Sequence, residues 1–344
     1  LTGAFDTLTT GDAECKHGTQ NINGESLTLD GREFFYTREF AHDFSDVKGQ
    51  NIAKRAALIA AAGMHNILME GSPGCGKSMI AKRLRYILPP MSVDEILKFA
   101  MLDFLEGKES DFSAKRPFRS PHNNSTRSAL LGGGSKEGQI GEVALSSGGI
   151  LWLDELPHFD KTLIEGLREP LENYRILISR VNSKIDYDAD FMFVGSMNPC
   201  PCGNLLSKTK ECRCKESEIQ RYKNRLSEPF LDRMDIFVQM EEFSEAGKSD
   251  ITSNEMFDNV IKAFSAQMKR GGKLNSRLSD KELAGLEITD EATDMLQKAG
   301  ARFAMSARSS AKTLKVARTI ADLENSIKVE KPHILEALSY RKRG

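Results

Sequence analysis

The sequence has no apolar run long enough to cross a membrane. Its longest, Ala56–Ala62 and Gly149–Leu153, fall far short of the ~18 residues a spanning helix needs. No secretory signal is visible either. The N-terminus reads Leu1-Thr2-Gly3-Ala4-Phe5-Asp6 with no initiator methionine, so the chain is expected to be a piece of a longer or processed protein. Net charge is almost absent: 48 Lys and Arg against 49 Asp and Glu leave −1. No whole-molecule field therefore draws nucleic acid, and any such binding must come from local basic patches. Cysteines are few and unevenly placed. Four of the six (Cys200, Cys202, Cys212, Cys214) crowd into 15 positions while Cys15 and Cys75 stand alone. That is unlike the disulfide framework of a secreted domain, and a reducing cytoplasm is the expected compartment. No repeat of fixed period is present.

What remains is ordinary globular composition, 40% hydrophobic and 28% charged over 344 residues, with room for two or three domains. Residues 1–44 are polar and then aromatic, with little periodicity, and are expected to be a linker or the remnant of an upstream domain. From Asp46 the pattern changes. Ile52–Ala62 predicts an alanine-rich helix, Asn66–Glu70 a short apolar strand, and Lys77–Leu88 a helix stopped by Pro89-Pro90. Gly149–Leu153 and Phe191–Ser196 predict two more strands, short and apolar as strands buried on both faces are. The segment 110–148, with Pro117, Pro121, Gly132–Gly134 and the basic residues Lys115, Arg116, Arg119, Arg127 and Lys136, predicts an irregular basic insertion. Tyr174–Tyr187 alternates around Val181-Asn182-Ser183, which predicts a hairpin. Helical periodicity resumes after Met240, where Met256, Val260, Phe264 and Met268 share a face and Leu314, Ala317, Ala321 and Glu324 follow a similar rhythm. The expected division is an α/β nucleotide-binding domain over 45–245, with a cysteine-rich loop at 199–215, and an all-helical domain over 246–344.

Gly71-Ser72-Pro73-Gly74-Cys75-Gly76-Lys77-Ser78 satisfies G-x-x-x-x-G-K-S between a predicted strand and a predicted helix, the context a phosphate-binding loop requires. Glycine lets the backbone wrap a pyrophosphate closely, and the helix start offers free N–H groups to the anion. The nucleotide-contacting set is then Gly71, Ser72, Pro73, Gly74, Cys75, Gly76, Lys77, Ser78 and Met79. Lys77 is expected to reach the β- and γ-phosphates of ATP, and Ser78 to ligate Mg²⁺. The strand Ile150–Leu153 delivers two carboxylates at its end: Asp154 to hold the magnesium through water, and Glu155 as general base for the attacking water. Trp152, the only tryptophan, is expected in the core. Asn198, at the end of the next strand, can bond the γ-phosphate and the lytic water.

Two arginines need a partner subunit to make sense. Arg233 follows a helix ending near Phe230 and could be a finger inserted into a neighbour's site, with Arg225 as its understudy. Arg308 opens a helix of the last domain and could reach the γ-phosphate. For either residue, the plain alternative is a surface ion pair. Cys200-Pro201-Cys202 and Cys212-Arg213-Cys214 could enclose a tetrahedral Zn²⁺, although the usual spacing is C-x₂₋₄-C, and free thiols or adventitious disulfides are the alternatives.

Phe44–Gln50, Ala61–Asn66, the phosphate loop, Phe118–His122, Gly148–Glu155, Met197–Gly203, Leu231–Ile236 and Val316–Leu323 together resemble the YifB/ComM family of magnesium-chelatase-like AAA+ ATPases. The cysteine loop is the most specific element of a likeness that covers about 44–340. The resemblance implies an AAA+ module with a helix-2 insert (about 112–147) and a pre-sensor hairpin (about 174–188) facing a central pore, followed by a helical lid. It also implies that an upstream Lon- and S5-like domain would precede the chain. Carried over by motif, Asn198 is similar to sensor 1, Arg233 to the arginine finger and Arg308 to sensor 2. Ser78 stands where threonine is common, and Ser309-Ser310-Ala311-Lys312 replaces bulkier residues in the lid. The first function this implies is a hexameric ring that migrates branched or single-stranded DNA in natural transformation and recombination. Arg116, Arg119, Arg127, Arg175, Arg180 and Lys184 would track phosphates. The second is a motor subunit of a metal-inserting chelatase. A third is a chaperone remodelling a protein partner.

Overall fold

The computed structural model describes residues 22–109, 112–133, 140–179, 184–242 and 251–341. Its first elements are β1 (Glu25–Leu29) and β2 (Arg32–Tyr36), which pair as an antiparallel hairpin inside the stretch that shows little periodicity in the sequence. The short β4 (Met91–Ser92) extends the hairpin, and Phe34 sets its ring edge-on against Phe264 at 5.0 Å. These strands are legible only through what they pack on, since neither face alternates cleanly.

The main body is a five-stranded parallel sheet with helices on both faces, a P-loop α/β module. Its strands are β3 (Ile67–Gly71), β5 (Phe118–Arg119), β6 (Ile150–Leu153), β9 (Met192–Met197) and β10 (Ile236–Met240), in the order β10-β3-β9-β6-β5. Side chains alternate across it. Ile67, Met69, Ile150, Trp152 and Val194 face one layer, built from α1 (Asn51–Gly63) and α2 (Lys77–Leu84). Leu68, Leu151, Leu153 and Phe193 face the other, which holds α4 (Arg127–Leu131), α5 (Glu142–Leu145), α6 (Lys161–Gly166), α7 (Arg168–Asn173), α8 (Glu216–Lys223) and α9 (Glu228–Leu231). Burial on both faces explains why these strands read as continuous apolar runs. Each of the large aliphatic side chains buried there contributes about 1.5–3 kcal/mol.

Several elements differ in detail from the sequence expectation. The helix from Lys77 ends at Leu84 and tightens into a 3₁₀ turn at Arg85–Ile87, and Leu88, directly ahead of Pro89, is extended at φ −69° and ψ 154°, as a proline requires of the residue before it. The basic insertion is not wholly irregular. It contributes edge strand β5 and the short helices α4 and α5, following α3 (Val93–Leu105). The hairpin is present as β7 (Arg175–Ser179) and β8 (Lys184–Asp188), while Arg180 and Val181-Asn182-Ser183 lie outside the described residues, as do Gly134 and Lys136.

The C-terminal helical region comprises α10 (Ser253–Gly271), α11 (Asp280–Ala284), α12 (Asp290–Arg302), α13 (Ala307–Leu323) and α14 (Lys331–Ser339). A capping box between Thr252 and Glu255 starts α10, and Met256, Val260 and Phe264 bury along one face, as their spacing requires. The region packs against α1. Arg55 of α1 forks onto Glu336 at 2.9 and 3.0 Å, and His65 at its C-terminal end bonds Thr319 at 2.7 Å. No helix among the described residues is long and apolar enough to cross a membrane.

Candidate nucleotide site

Strand β3 ends at Gly71, and the chain then turns through Ser72–Gly76 into α2. Gly74 and Gly76 sit at φ 81° and 97°, backbone that a side chain would strain, so the loop's shape depends on glycine. Gly71 is needed for a different reason: a Cβ there would lie 2.8 Å from Met240 O of the neighbouring strand. The result is a tight arch opening at the C-terminal edge of a parallel sheet, where such folds bind ligands.

Lys77 rises through this arch and is 8% exposed. Its ammonium donates to Gly71 O at 2.6 Å, Ser72 O at 3.1 Å and Asn198 Oδ1 at 3.1 Å, which uses all three of its protons. Ser78 Oγ donates to Asp154 Oδ2 at 3.1 Å. The other oxygen of Asp154 accepts from Ser196 Oγ, and Ser196 Oγ in turn accepts from Glu155 N at 3.0 Å. Asp154 is thus held from both sides. Glu155 is exposed and left-handed, with φ 52° and ψ 50°. A non-glycine residue in that region costs of order 1 kcal/mol and is characteristic of functional turns.

The structure therefore brings Lys77, Ser78, Asp154, Glu155 and Asn198 to one edge of the sheet from three strands. Two contributors escaped the sequence reading. Ser196 alternates along β9 onto the face that meets Asp154, a signal its period-2 position carries but its residue type does not. Gln50, left-handed at φ 56°, bonds Cys75 O at 3.1 Å and Glu241 O at 2.6 Å, tying the chain before α1 to the phosphate loop.

Arg233 and Arg308 are not part of this cluster. The turn carrying Arg233 precedes β10, and Asn66 Nδ2 donates to Arg233 O at 3.1 Å at the opposite, N-terminal edge of the sheet. A five-residue strand, about 16 Å, lies between that edge and the phosphate loop. Both guanidinium groups instead bond the two oxygens of Glu172, and Arg308 Nη1 lies 3.7 Å from Asp232. Partial burial works against ionisation of Glu172, but Arg233, Arg308 and Lys312 outweigh it and hold the carboxyl below its usual range.

The basic candidates for nucleic acid divide sharply. Arg116 is a correction to the sequence expectation. It is buried, with its guanidinium donating to Pro89 O at 2.7 Å, Pro90 O at 2.9 Å and Gly148 O, and paired with Glu95 at 2.8 Å. It pins the insertion to the body and cannot reach a phosphate. Arg119 pairs with Glu106 at 2.7 Å and Glu142 at 3.1 Å and is largely covered. Arg127 and Arg175 are exposed, the latter paired with Asp186 at 2.8 Å. Lys184 occupies β8 opposite Ser179.

The four clustered cysteines converge. Their sulfur atoms all lie within 4.8 Å of one another, a grouping that could hold a metal ion. Cys200 is buried and Cys202 is exposed.

Comparison with known proteins identifies the family. Residues 43–247 match the family model "Magnesium chelatase, subunit ChlI" and residues 250–341 its C-terminal counterpart. The chain is 41% identical over 307 residues to the "Competence protein ComM" of Haemophilus influenzae, covering 87% of this chain and 60% of that protein. It is 39% identical over 316 residues to the YifB protein of Escherichia coli, covering 89% and 61%. The magnesium-chelatase 67 kDa subunit of Chlorobaculum tepidum is 24% identical over 167 residues, 45% of this chain and 23% of that protein. The chain spans about 60% of the length of the first two relatives.

Proposed function

Since the chain belongs to the magnesium chelatase ChlI family, and within it to the YifB/ComM group, we propose that it is an Mg-ATP-hydrolysing AAA+ motor that works as a ring of identical subunits. The observation that carries this reading is a double pairing at the mouth of a glycine-built arch: Lys77 with Asn198, and Ser78 with Asp154, each at 3.1 Å. ATP supplies its β- and γ-phosphates to the loop N–H groups and to Lys77. The magnesium ion supplies charge neutralisation, with Ser78 and Asp154 as the groups that would hold it. Glu155, unhindered on its left-handed turn, takes the proton of the attacking water, and Asn198 orients that water against the γ-phosphate.

The placement of the two arginines away from their own phosphate loop supports a ring. Facing away from their own phosphate loop, Arg233 and Arg308 serve a neighbour's site, where they neutralise charge developing on the transferred phosphoryl group. Each chain then carries half of two sites. The test is ATP turnover by the purified chain: Lys77→Ala abolishes nucleotide binding, whereas Glu155→Gln binds ATP and does not turn over. Binding and turnover that survive both changes contradict the assignment.

The work to which turnover is coupled is proposed to be movement along single-stranded or branched DNA in a reducing cytoplasm. The exposed Arg127 and Arg175 on the insertion and hairpin support it. The buried Arg116 and the doubly paired Arg119 remove two of the contacts first expected to serve it. The competing reading is a chelatase-type motor or a chaperone acting on a protein partner. Stimulation of ATP turnover by forked DNA, and not by a porphyrin-binding protein, separates them.

A further inference from the structure

The cysteine loop meets the nucleotide site at two points. Cys200 lies two residues beyond Asn198, whose side chain holds Lys77. Gly203 lies so close to the phosphate loop that a Cβ on it would sit 2.5 Å from Pro73 Cδ. The loop's own interior is thin: Leu205 is exposed, and the turn is tethered elsewhere by Lys208 to Glu241 at 2.8 Å and by its backbone to Glu242 at 3.0 Å. Something other than apolar burial must fix its fold.

The sulfur geometry says what. Cys200 and Cys202 are 3.5 Å apart, and Cys212 stands 3.7 Å from each of them. Sulfurs at the corners of a tetrahedron around zinc, each about 2.3 Å from the ion, are separated by about 3.8 Å. The spacing thus fits a metal-centred tetrahedron, and all four residues are free thiols. On binding, the thiols release their protons and the site carries a net charge of about −2.

We propose that Cys200, Cys202, Cys212 and Cys214 bind one zinc ion, and that this ion clamps the loop carrying Asn198 onto Pro73, so that the shape of the phosphate loop depends on the metal. Zinc has no redox chemistry and its four positions are filled by protein, so its role is structural. Its removal frees Gly203 from Pro73 and Asn198 from Lys77 together. The clamp acts on the site assigned to Mg-ATP above, but its first readouts do not require nucleotide.

The experiment uses the full chain purified under reducing conditions without added zinc. About one zinc per chain is expected, exchangeable for cobalt with the strong visible bands of a tetrahedral thiolate site, and lost in Cys202→Ser. Stripping the wild-type chain with a chelator, with retained helical circular dichroism as the check on folding, should speed hydrogen exchange in both 72–77 and 198–204. Mg-ATP should bind the stripped chain roughly tenfold more weakly, an ordinary coupling between adjoining sites. Markedly less than one metal per chain, iron in place of zinc, or absent cobalt bands overturn the metal assignment. Unchanged exchange at 72–77 after stripping overturns the clamp. If metal and exchange behave as expected but no form binds nucleotide, the clamp stands and the ATPase reading falls.

Discussion

Lys77 Nζ lies 3.1 Å from Asn198 Oδ1, joining residues 121 positions apart in the chain. A lysine at the start of a helix and an amide at the end of a strand are each unremarkable alone. In the proposed site they offer one ammonium and one amide to a terminal phosphate, beside the Ser78 and Asp154 pair. Substituting Asn198 by Ala is expected to lower ATP turnover on the order of 10²–10³-fold with little change in nucleotide affinity, because it removes a contact that matters most in the transition state. Steady-state turnover combined with nucleotide titration checks this.

Arg233 and Arg308 share Glu172, so they should act as one unit in a neighbour's site. Arg233→Ala is expected to reduce turnover by about 10³-fold or more while each chain binds nucleotide normally. The decisive check is mixing. Arg233→Ala chains combined with Lys77→Ala chains should recover part of the activity, since some interfaces then pair an intact loop with an intact arginine. No recovery contradicts action between subunits.

Much of this site was legible before the fold was known, and the reason is contiguity. The phosphate loop, the Asp154-Glu155 step and Asn198 each follow a short apolar strand, and a parallel sheet necessarily brings such strand ends to one edge. Arg116 was not legible, because its burial depends on the carbonyls of Pro89, Pro90 and Gly148, which only the folded chain assembles. Glu172 escaped for a similar reason: its bridging of Arg233 and Arg308 joins segments separated by 61 and 136 residues. Ser196 was hidden by its type, since a serine within a buried strand reads as a small filler until Asp154 is seen beside it.

Arg116 should behave as a structural residue. Arg116→Ala is expected to cost about 3 kcal/mol, because it leaves carbonyls and Glu95 without their donor in a covered position. Urea unfolding measures this. In the same proteins, the DNA affinity of any variant that still folds should match the unsubstituted chain, while Arg175→Glu weakens it in a salt-dependent way.

His65 links the two halves of the molecule through Thr319 and gives the fold a pH dependence. Burial pushes its pKa from the ordinary 6.5 down to about 4; Asp235 opposes the shift, while Lys315, Arg277 and Lys312 add to it. The folded state therefore holds His65 neutral, whereas the unfolded chain takes up a proton near pH 6.5. The stabilisation is complete above that pH and is lost as pH falls toward 4, by up to about 3 kcal/mol. The carboxyl of Asp235 resists burial with help from Lys312 and lies below its usual range, so it adds a loss of the same sign at lower pH. His65→Gln, which can still donate to Thr319, is expected to flatten the slope of stability between pH 6.5 and about 4, measured by denaturant titration.

The most direct measurement is calorimetric titration of the chain with a slowly hydrolysed ATP analogue in magnesium buffer, alongside Lys77→Ala. The expected result is one binding event per chain that disappears in the variant and weakens when magnesium is withheld. Heat of binding absent at millimolar nucleotide, or the same heat from both proteins, contradicts a triphosphate held in the arch between Gly71 and Ser78.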